Sequence, residues 1–275
     1  MSETAQSPCR SRLVTLLTDF GLGDPFVGVM KGVILSHDPS LSIVDVSHGV
    51  PAQDLDVAAF WLASSYRWFP AGAVHVCVVD PGVGTARAPL AARVGAHLFV
   101  APDNGVLSDV LAESSEVEVR RIEPARLGLA VPSRTFHGRD VFAPVAARLA
   151  SGALALAGVG PEHRPLLRRR EGPVTEPDRV VGRVLFADRF GNLVTDIPET
   201  VLGAGNERVE VAGRRLRRVR TYGEAEPGEC VALVSSFGTL EIARRDGDAA
   251  AALGAGRGAR VTLHARSAVE GEEPR

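Results

Sequence analysis

The sequence has few cysteines, a single lysine and no long apolar run. Cys9, Cys77 and Cys230 are widely spaced and form no C-x-x-C pair, so neither a disulfide framework nor a zinc site is indicated. No stretch approaches the roughly eighteen uninterrupted apolar residues of a membrane-spanning helix. The first ten residues also lack the apolar core of a signal peptide. We therefore expect a cytoplasmic protein.

Charge of one sign is not in excess either. The 33 acidic residues and 31 basic residues leave a formal net charge of -2, which gives no reason to expect nucleic acid as a partner. Hydrophobic residues make up 45% and charged residues 23%, as in an ordinary soluble globular protein. A chain of 275 residues is long enough for one large or two moderate domains.

Four apolar stretches each contain or run into an aspartate, at Asp19, Asp45, Asp80 and Asp103. Such continuous runs, alternating with helical patterns, are typical of parallel strands buried on both faces of an α/β sheet. Ligands of open α/β sheets bind outside the carboxyl ends of the strands. The four acids therefore predict a polar small-molecule site at one edge of the sheet. A turn or N-cap role explains any single one of them equally well.

The pattern changes at EGPVTEPD, residues 171–178, which predicts a linker. Before it, apolar residues keep helical spacing between Phe26 and Ile34 and between Val57 and Trp68. After it, short β-like runs separated by glycine-bearing turns predict a small antiparallel barrel or sandwich. We predict a disordered N-terminus at 1–11, an α/β domain with a mainly parallel sheet at 12–172, a linker at 173–178 and a smaller β-rich domain at 179–275.

The first glycine turn, TDFGLGDPF, contains two candidate acids. Asp19 ends a predicted strand, and a carboxylate beside a glycine-rich turn can accept both hydroxyls of a ribose. Asp24 is explained equally as the N-cap of a helix that has Pro25 at its first position. Phe26 stands where the third glycine of a dinucleotide fingerprint would fall, so that fingerprint is not completed.

Two later motifs add an arginine and a histidine. In VVDPGVGTAR, the glycine turn between Asp80 and Arg87 permits a sharp reversal that would bring the two side chains towards one point. A plain turn with a solvated arginine explains the motif equally well. His137 precedes Gly138, and we predict that a helix begins near Asp140. A lone histidine is more often structural, yet a helix entrance suits a ligand site.

The β-rich half carries a third group, in which Asp188, Phe190 and Asn192 surround Gly191. An asparagine amide offers a donor and an acceptor to a purine edge, and phenylalanine can stack on its face. A hairpin turn held by the aspartate side chain explains the same residues equally well.

Six ordered motifs together resemble the S-adenosylmethionine hydroxide adenosyltransferases, which are relatives of the fluorinases and chlorinases. The resemblance covers roughly residues 12 to 265. It implies an α/β N-terminal domain, a smaller β C-terminal domain and a homotrimer with sites between neighbouring subunits' domains. The implied reaction is attack of water on S-adenosylmethionine as substrate, without cofactor or metal. The motifs are TDFGLGDPFVGVMKG, VDPGVGTAR, APDNGVL, TFHGRDVFAP, DRFGNLVTDI and SSFGTLEIA.

The resemblance also implies roles for individual residues. The hydroxide branch is marked by a catalytic aspartate, arginine and histidine, which fall on Asp80, Arg87 and His137. Phe26, where a hydroxylated residue is expected, and Phe237 make the methionine end more apolar than in the halogenases. The implied substrate-binding residues are Asp19 for the ribose, Asp24 and Asp188 for the methionine amino group, Asn192 for adenine, Phe190 and Tyr222 as aromatic walls, and Phe136, Ser236 and the backbone near Arg244.

Three other functions compete with this interpretation. A halogenase is disfavoured because a carboxylate at Asp80 repels halide by about 4 kcal/mol at about 4 Å and an effective dielectric near 20. A non-catalytic sensor of S-adenosylmethionine or a nucleoside would keep the binding residues without turnover. A metal-dependent hydrolase would use the clustered aspartates and His137, but the spacing matches no ligand pattern.

Overall fold

The computed structural model describes residues 11–130, 132–203 and 208–264. The chain divides into two compact units, 1–169 and 170–275. The predicted disordered N-terminus falls on residues 1–10, outside the described residues, and on Ser11. The domain limits and the linker stay predictions, and a two-residue strand, Val174–Thr175, forms inside the predicted linker.

The first unit contains a mixed sheet that is parallel through most of its width. Its strands are β1 (Leu13–Thr18), β2 (Ser42–Ser47), β3 (Val74–Val78), β4 (Pro89–Val94), β5 (His97–Pro102) and β6 (Val117–Arg121). They lie in the order β2-β1-β3-β5-β4-β6, in which the first four strands are parallel and β4 pairs antiparallel with β5 and β6. The predicted mainly parallel sheet is confirmed.

Burial on both faces was a wrong prediction for β2. The side chains of β1 and β3 are buried throughout, whereas those of β2 are exposed or half-buried. The reason is the position of β2 at the edge of the sheet, where it pairs only with β1. Asp45 lies within this strand, and Lys31 Nζ donates to its Oδ2 at 2.6 Å.

The helices of the first unit pack an apolar stripe against the sheet. Met30, Ile34, Phe142 and Val145 are all fully buried in the core that covers β1 and β3, as their helical spacing predicts. None of the helices in the described ranges is both long and apolar enough to cross a membrane. The helices are α1 (Phe26–His37), α2 (Leu55–Ser65), α3 (Ser108–Ala112) and α4 (Ala143–Ser151), with a π-helical turn at Gly138–Phe142.

One predicted helix start is wrong, and a second lies within two residues of the observed one. Asp24 is not the N-cap of α1, because Pro25 occupies that position and no side chain caps the helix. The Pro25 carbonyl accepts the Val29 N–H at 2.9 Å, which leaves Asp24 exposed outside the helix. The helix expected near Asp140 begins earlier, with the π-helical turn directly after His137.

The second unit is an antiparallel sheet that nearly closes into a barrel. Its strands are β7 (Val174–Thr175), β8 (Arg179–Ala187), β9 (Leu193–Pro198), β10 (Arg208–Val211), β11 (Arg214–Arg217), β12 (Cys230–Val234), β13 (Thr239–Arg244) and β14 (Arg260–His264), with helix α5 at Ala249–Leu253. They run in the order β11-β10-β14-β8-β9-β13-β12, and β7 pairs with β8. Just after β11, Val219 N–H donates to the Ala232 carbonyl of β12 at 2.8 Å, which joins the two ends. The barrel prediction is confirmed.

A buried polar chain lies near the amino ends of β3 and β5. His75 is 1% exposed, its Nδ1 lies 2.8 Å from Thr15 Oγ1, and its Nε2 lies 3.1 Å from His97 Nδ1. The rings of Tyr66, Phe69 and Phe99 surround it at centroid distances of 5.1 to 6.0 Å. Burial lowers the pKa of His75 to about 3, and the neighbouring His97 adds to the effect.

Candidate active site

A cavity of about 400 Å³ opens where β1 and β3 end. This is the edge at which ligands of α/β sheets bind. Asp19, Asp80, Phe136 and His137 all line it, so the structure brings these four predicted residues together, whereas Asp24 is not among its lining residues. The remaining lining residues are Phe20, Phe26, Gln53, Val78, Pro81, Val83, Thr135 and Gly138.

Asp80, Arg87 and His137 form a continuous hydrogen-bonded group. Arg87 Nε donates to Asp80 Oδ1 at 2.9 Å, and its Nη2 contacts Asp80 Oδ2, so the pair is bidentate. The same Nη2 donates to His137 Nδ1 at 2.7 Å. The side chains of Arg87 and Asp80 are only 8% and 5% exposed, so the ion pair is largely shielded from bulk water. The glycine turn does bring the arginine and the aspartate to one point.

Arg87 fixes the protonation of His137. A guanidinium can only donate, so the Nδ1 that it contacts must be an acceptor and the proton of neutral His137 is on Nε2. Burial lowers the pKa of His137, and the positive charge of Arg87 lowers it further, which keeps the imidazole neutral at pH 7. Arg87 Nη1 is buried and finds no hydrogen-bond partner among the described residues. The group thus retains an unused donor on its cation.

Gly84 sets the separation between Arg87 and His137. Its φ is +78°, in the left-handed region that glycine adopts without cost. A Cβ atom added at this position would lie 2.4 Å from the carbonyl oxygen of Arg134, three residues before His137. The turn that carries Arg87 therefore packs directly on the segment that carries His137.

We expect Gly84→Ala to lower the rate of the reaction catalysed here by roughly tenfold or more, because a misplacement of about 1 Å is costly in a preorganised site. The added methyl group must push the two segments apart, which lengthens the bond between Arg87 and His137. Gly95→Ala is the matched control, because Gly95 also has a positive φ of 53° but its Cβ would meet no atom within 4 Å. Equal losses of activity in the two variants, measured by steady-state kinetics, would show that backbone strain alone is responsible.

Asp19 is held by one backbone donor. Gln53 N–H donates to Asp19 Oδ2 at 2.8 Å. Gln53 adopts this position with a φ of +63°, a conformation that costs free energy in a residue other than glycine. A carboxylate accepts several hydrogen bonds, so Asp19 retains capacity for a ligand in the cavity. Sequence reasoning missed Gln53, since no motif predicts a left-handed glutamine.

Three phenylalanines form one wall of the cavity. The ring centroids of Phe20, Phe26 and Phe136 lie 5.3 to 6.1 Å apart, with tilted or edge-to-face planes. Such a wall suits the apolar part of a ligand. Phe26, which stands where the family resemblance leads us to expect a hydroxyl, is part of this wall.

The other two aspartates that follow or lie in apolar stretches do not line the cavity. Asp103 accepts the Leu166 N–H at 2.7 Å, and its Oδ2 lies 2.8 Å from His163 Nε2, so it anchors the segment 163–166, which follows α4 in the chain. Asp45 lies on β2 and is paired with Lys31 of α1. Asp103 follows β5, which is parallel to β1 and β3, so it lies at the same edge of the sheet as Asp19 and Asp80. The expectation that all four acids contribute to one site was nevertheless wrong for Asp103 and Asp45, because neither lines the cavity.

In the second unit, Asp188 organises a tight turn. Its Oδ1 accepts the N–H groups of Phe190 at 2.8 Å and Asn192 at 2.9 Å, and its Oδ2 accepts Asn192 Nδ2 at 3.0 Å. The turn alternative of the sequence analysis is thus formed. Asn192 is 8% exposed, whereas the Phe190 ring is 76% exposed. The turn presents an aromatic face to its surroundings.

Tyr222 contacts a buried acid that sequence reasoning missed. Its hydroxyl donates to Glu241 Oε1 at 2.7 Å, and Glu241 on β13 is only 4% exposed. Burial raises the pKa of Glu241, and the charge of Asp188 raises it further. The available signal was a single acid inside the apolar run TLEIA. Ser236 is exposed, and exposed Arg244 donates through Nε to the Gly228 carbonyl at 3.0 Å.

The residues that the structure describes contain no group of three or more His, Cys, Asp or Glu side chains arranged to hold a metal ion. Asp80 and His137 are joined through Arg87, and a cation between two potential ligands is unsuited to a metal centre. The arrangement instead provides a carboxylate, an imidazole N–H and a cation beside one cavity.

Comparison with known proteins places this geometry in a family. Residues 14–160 match the SAM hydroxide adenosyltransferase N-terminal domain, and residues 182–262 match the C-terminal domain of the same family. The chain is 43% identical over 259 residues to the "(R)-S-adenosyl-L-methionine hydrolase" of Thermus thermophilus, with 92% of this chain and 99% of that protein covered. A fluorinase of an Actinoplanes species is a more distant relative, 28% identical, with 84% of this chain and 90% of the fluorinase covered.

A solved structure supports the same relationship. The crystal structure of an uncharacterized conserved protein from Thermotoga maritima matches with a TM-score of 0.86 and 37% identity, covering 92% of this chain and all of the other. The two family domains together span most of the sequence, in the order that the six motifs predict. This chain belongs to the SAM hydroxide adenosyltransferase family.

Proposed function

We propose that this protein hydrolyses S-adenosyl-L-methionine to adenosine and L-methionine, by attack of water on the ribose C5′. Family membership supports the substrate and the reaction class. The observation that carries the proposal is the buried Asp80–Arg87–His137 group beside the cavity. It unites the three residue types that mark the hydroxide branch.

The chemistry needs little beyond alignment and proton transfer. A sulfonium leaving group already makes C5′ electrophilic, so the protein must place water behind the C–S bond and exclude other geometries. We assign the water proton to Asp80, because a carboxylate paired with Arg87 still has lone pairs to accept it. His137 offers an Nε2–H and serves as a donor that orients the water. No cofactor is part of this proposal.

The substrate-binding roles belong to the same proposal. Asp19 accepts the ribose hydroxyls, and the wall of Phe20, Phe26 and Phe136 borders the apolar part of the substrate. Asn192 of the second unit recognises adenine, and Phe190 and Tyr222 act as aromatic walls. Asp188 of the second unit and Asp24 of the first unit bind the methionine amino group. Ser236 and the backbone near Arg244 complete the set. Support comes from the turn that holds Asp188 and Asn192 together.

The proposal also includes a homotrimeric assembly and a cytoplasmic location. The trimer follows from the family resemblance, and the location is carried over as an expectation of the sequence analysis. Sedimentation of the purified protein tests the trimer, and fractionation of the source cells tests the location.

Halogenation is the second candidate, because fluorinases are among the more distant relatives. The carboxylate of Asp80 argues against it. Its side chain is 5% exposed, and a halide beside it would meet a shielded negative charge. For an isolated carboxylate that repulsion is about 4 kcal/mol at about 4 Å and an effective dielectric near 20. The bidentate pairing with Arg87 offsets part of it, so the products decide between the two candidates.

Product analysis separates the candidates. We expect purified protein incubated with S-adenosyl-L-methionine to release adenosine and methionine in equal amounts, at a rate unchanged by chloride, fluoride or a chelator. Chromatography with mass detection checks this result. A 5′-halo-nucleoside would indicate halogenation, and loss of activity with chelator would indicate a metal-dependent hydrolase. Saturable binding without product would indicate a sensor.

A further inference from the structure

Thr18 and His48 form a buried pair directly behind the Asp19–Phe20 turn. Thr18 is fully buried and His48 is 6% exposed. Thr18 Oγ1 lies 2.8 Å from His48 Nδ1, and the same hydroxyl accepts the Phe20 N–H at 3.2 Å. Neither side chain lines the cavity, so neither is available to contact a ligand there.

His48 contacts the chain on both sides of Asp19 and Phe20. Its side chain meets Thr18, and its carbonyl accepts the Gly21 N–H at 2.8 Å. The Thr18 carbonyl in turn accepts the Val50 N–H at 3.4 Å. The segment that follows His48 leads to Gln53, whose N–H holds Asp19 Oδ2. The position of the Asp19 carboxylate thus depends on contacts made by the segment from His48 to Gln53.

The contacts around His48 favour one tautomer of its imidazole ring. His48 Nε2 lies 3.1 Å from Asp45 Oδ1, and the second oxygen of Asp45 accepts from Lys31 Nζ. The angle of this contact is not that of a hydrogen bond. The negative charge of the carboxylate still favours the tautomer with its proton on Nε2, which leaves Nδ1 as the acceptor for the Thr18 O–H. The Thr18 oxygen is then free to accept from Phe20 N–H. Lys31, the single lysine, thereby stabilises the acid that selects this tautomer.

We propose that Thr18 and His48 are positioning residues that hold the Asp19–Phe20 turn in the geometry required to bind the ribose hydroxyls. The proposal rests on the proposed function through the role given to Asp19. It predicts a defect confined to recognition of the ribose. Nucleosides that lack the hydroxyls do not use Asp19, so they are insensitive to loss of the pair.

Thr18→Val is the direct test, since it keeps the shape of the side chain and removes the hydroxyl. We expect the dissociation constant of adenosine to rise about tenfold, as for the loss of one well-placed hydrogen bond to a charged group. The dissociation constant of 2′,3′-dideoxyadenosine should change less than about twofold. The KM for S-adenosyl-L-methionine should rise by a similar factor to the dissociation constant of adenosine, while kcat changes little. Titration calorimetry and steady-state kinetics measure these quantities.

The chain offers a matched control in Thr15→Val. Thr15 lies on the same strand, three residues before Thr18, is 1% exposed, and places its Oγ1 2.8 Å from His75 Nδ1, so the same type of bond is lost away from the Asp19–Phe20 turn. We expect this variant to lose stability without any change in the selectivity for the ribose. Thr18→Ser should restore the affinity for adenosine, because it restores the hydroxyl. His48→Gln leaves Thr18 in place and gives a second route to the defect if Thr18→Val does not fold.

Equal weakening of both nucleosides by Thr18→Val, or unchanged binding of adenosine, would overturn the proposal. The same pattern in Thr15→Val would also overturn it, because the effect would then be a general loss of stability. Nucleoside binding requires no turnover, so a protein that binds adenosine with the predicted selectivity but releases no product contradicts only the proposed function.

Discussion

Arg87→Met should lower kcat for hydrolysis of S-adenosyl-L-methionine by about 10³-fold, within the range that proton-transfer and electrostatic groups contribute. The KM should change less than about threefold, because Asp19 and the phenylalanine wall remain in place. Arg87 joins the two cavity groups assigned to the water, donating to Asp80 Oδ1 at 2.9 Å and to His137 Nδ1 at 2.7 Å. Without it, neither side chain is held in position, and His137 loses the donor that fixes its tautomer.

Loss of stability must be separated from loss of chemistry in this variant. Arg87→Met leaves the Asp80 carboxylate 5% exposed and without its cation, and an unpaired buried charge costs about 3 to 5 kcal/mol. The double variant Asp80→Asn with Arg87→Met removes that charge and should recover much of the stability. It should remain as slow as the single variants, because the proton acceptor is now absent.

Single-turnover rates and adenosine affinity decide the outcome, measured on Asp80→Asn, Arg87→Met and the double variant. Unchanged adenosine affinity with a much lower rate supports the roles assigned to Asp80 and Arg87. Undiminished turnover in both Asp80→Asn and Arg87→Met would contradict the assignment. Recovery of activity together with stability in the double variant would show that the group serves only to keep the fold intact.

The sequence predicts the sheet of the first unit well, because its strands have a strong signal. The runs that end at Thr18 and Val78 are continuous, apolar and rich in β-branched residues, and they are buried on both faces as such runs should be. The run around Asp45 has similar composition but lies at the edge. Composition does not record how many neighbours a strand has, so this exposure could not be predicted.

The candidate site divides in the same way. Asp80, Arg87 and His137 could be predicted because each lies in a short motif with glycine turns, although 50 residues separate Arg87 from His137. The contributions of Gln53 and Glu241 could not, because they depend on a left-handed backbone and on which side of a barrel strand faces inwards. Both are tertiary facts without a local sequence pattern.

Protonation of His75 should destabilise the protein as the pH falls below about 6.5, the ordinary pKa of histidine in an unfolded chain. Burial lowers the pKa of His75 to about 3 in the folded state. Between these values the unfolded chain binds a proton at this position and the folded chain does not. The stability contributed by neutral His75 is therefore complete above pH 6.5 and is progressively lost towards pH 3.

From pH 6.5 to pH 5 this one group should lower the free energy of unfolding by about 1.6 kcal/mol. The range from pH 5 to 6.5 separates this effect from that of carboxylates with lowered pKa values. Such groups, for example Glu229 with a pKa of about 2, lose their contribution to stability only below the ordinary glutamate pKa of 4.5. His97 and His137 act in the same direction as His75, since burial lowers the pKa of each. Glu241 and Asp196 act in the opposite direction, since burial raises the pKa of each carboxyl group.

The double variant His75→Phe with Thr15→Val tests the assignment. It removes both partners of the 2.8 Å bond and also the 3.1 Å contact of His75 Nε2 with His97 Nδ1. Phenylalanine suits the rings of Tyr66, Phe69 and Phe99 around the position. Replacing both partners of a buried hydrogen bond with apolar groups of similar shape costs little. Urea unfolding of both proteins at several pH values from 5 to 6.5 should show a shallower pH dependence in the variant. Parallel curves would show that another group is responsible for the acid sensitivity.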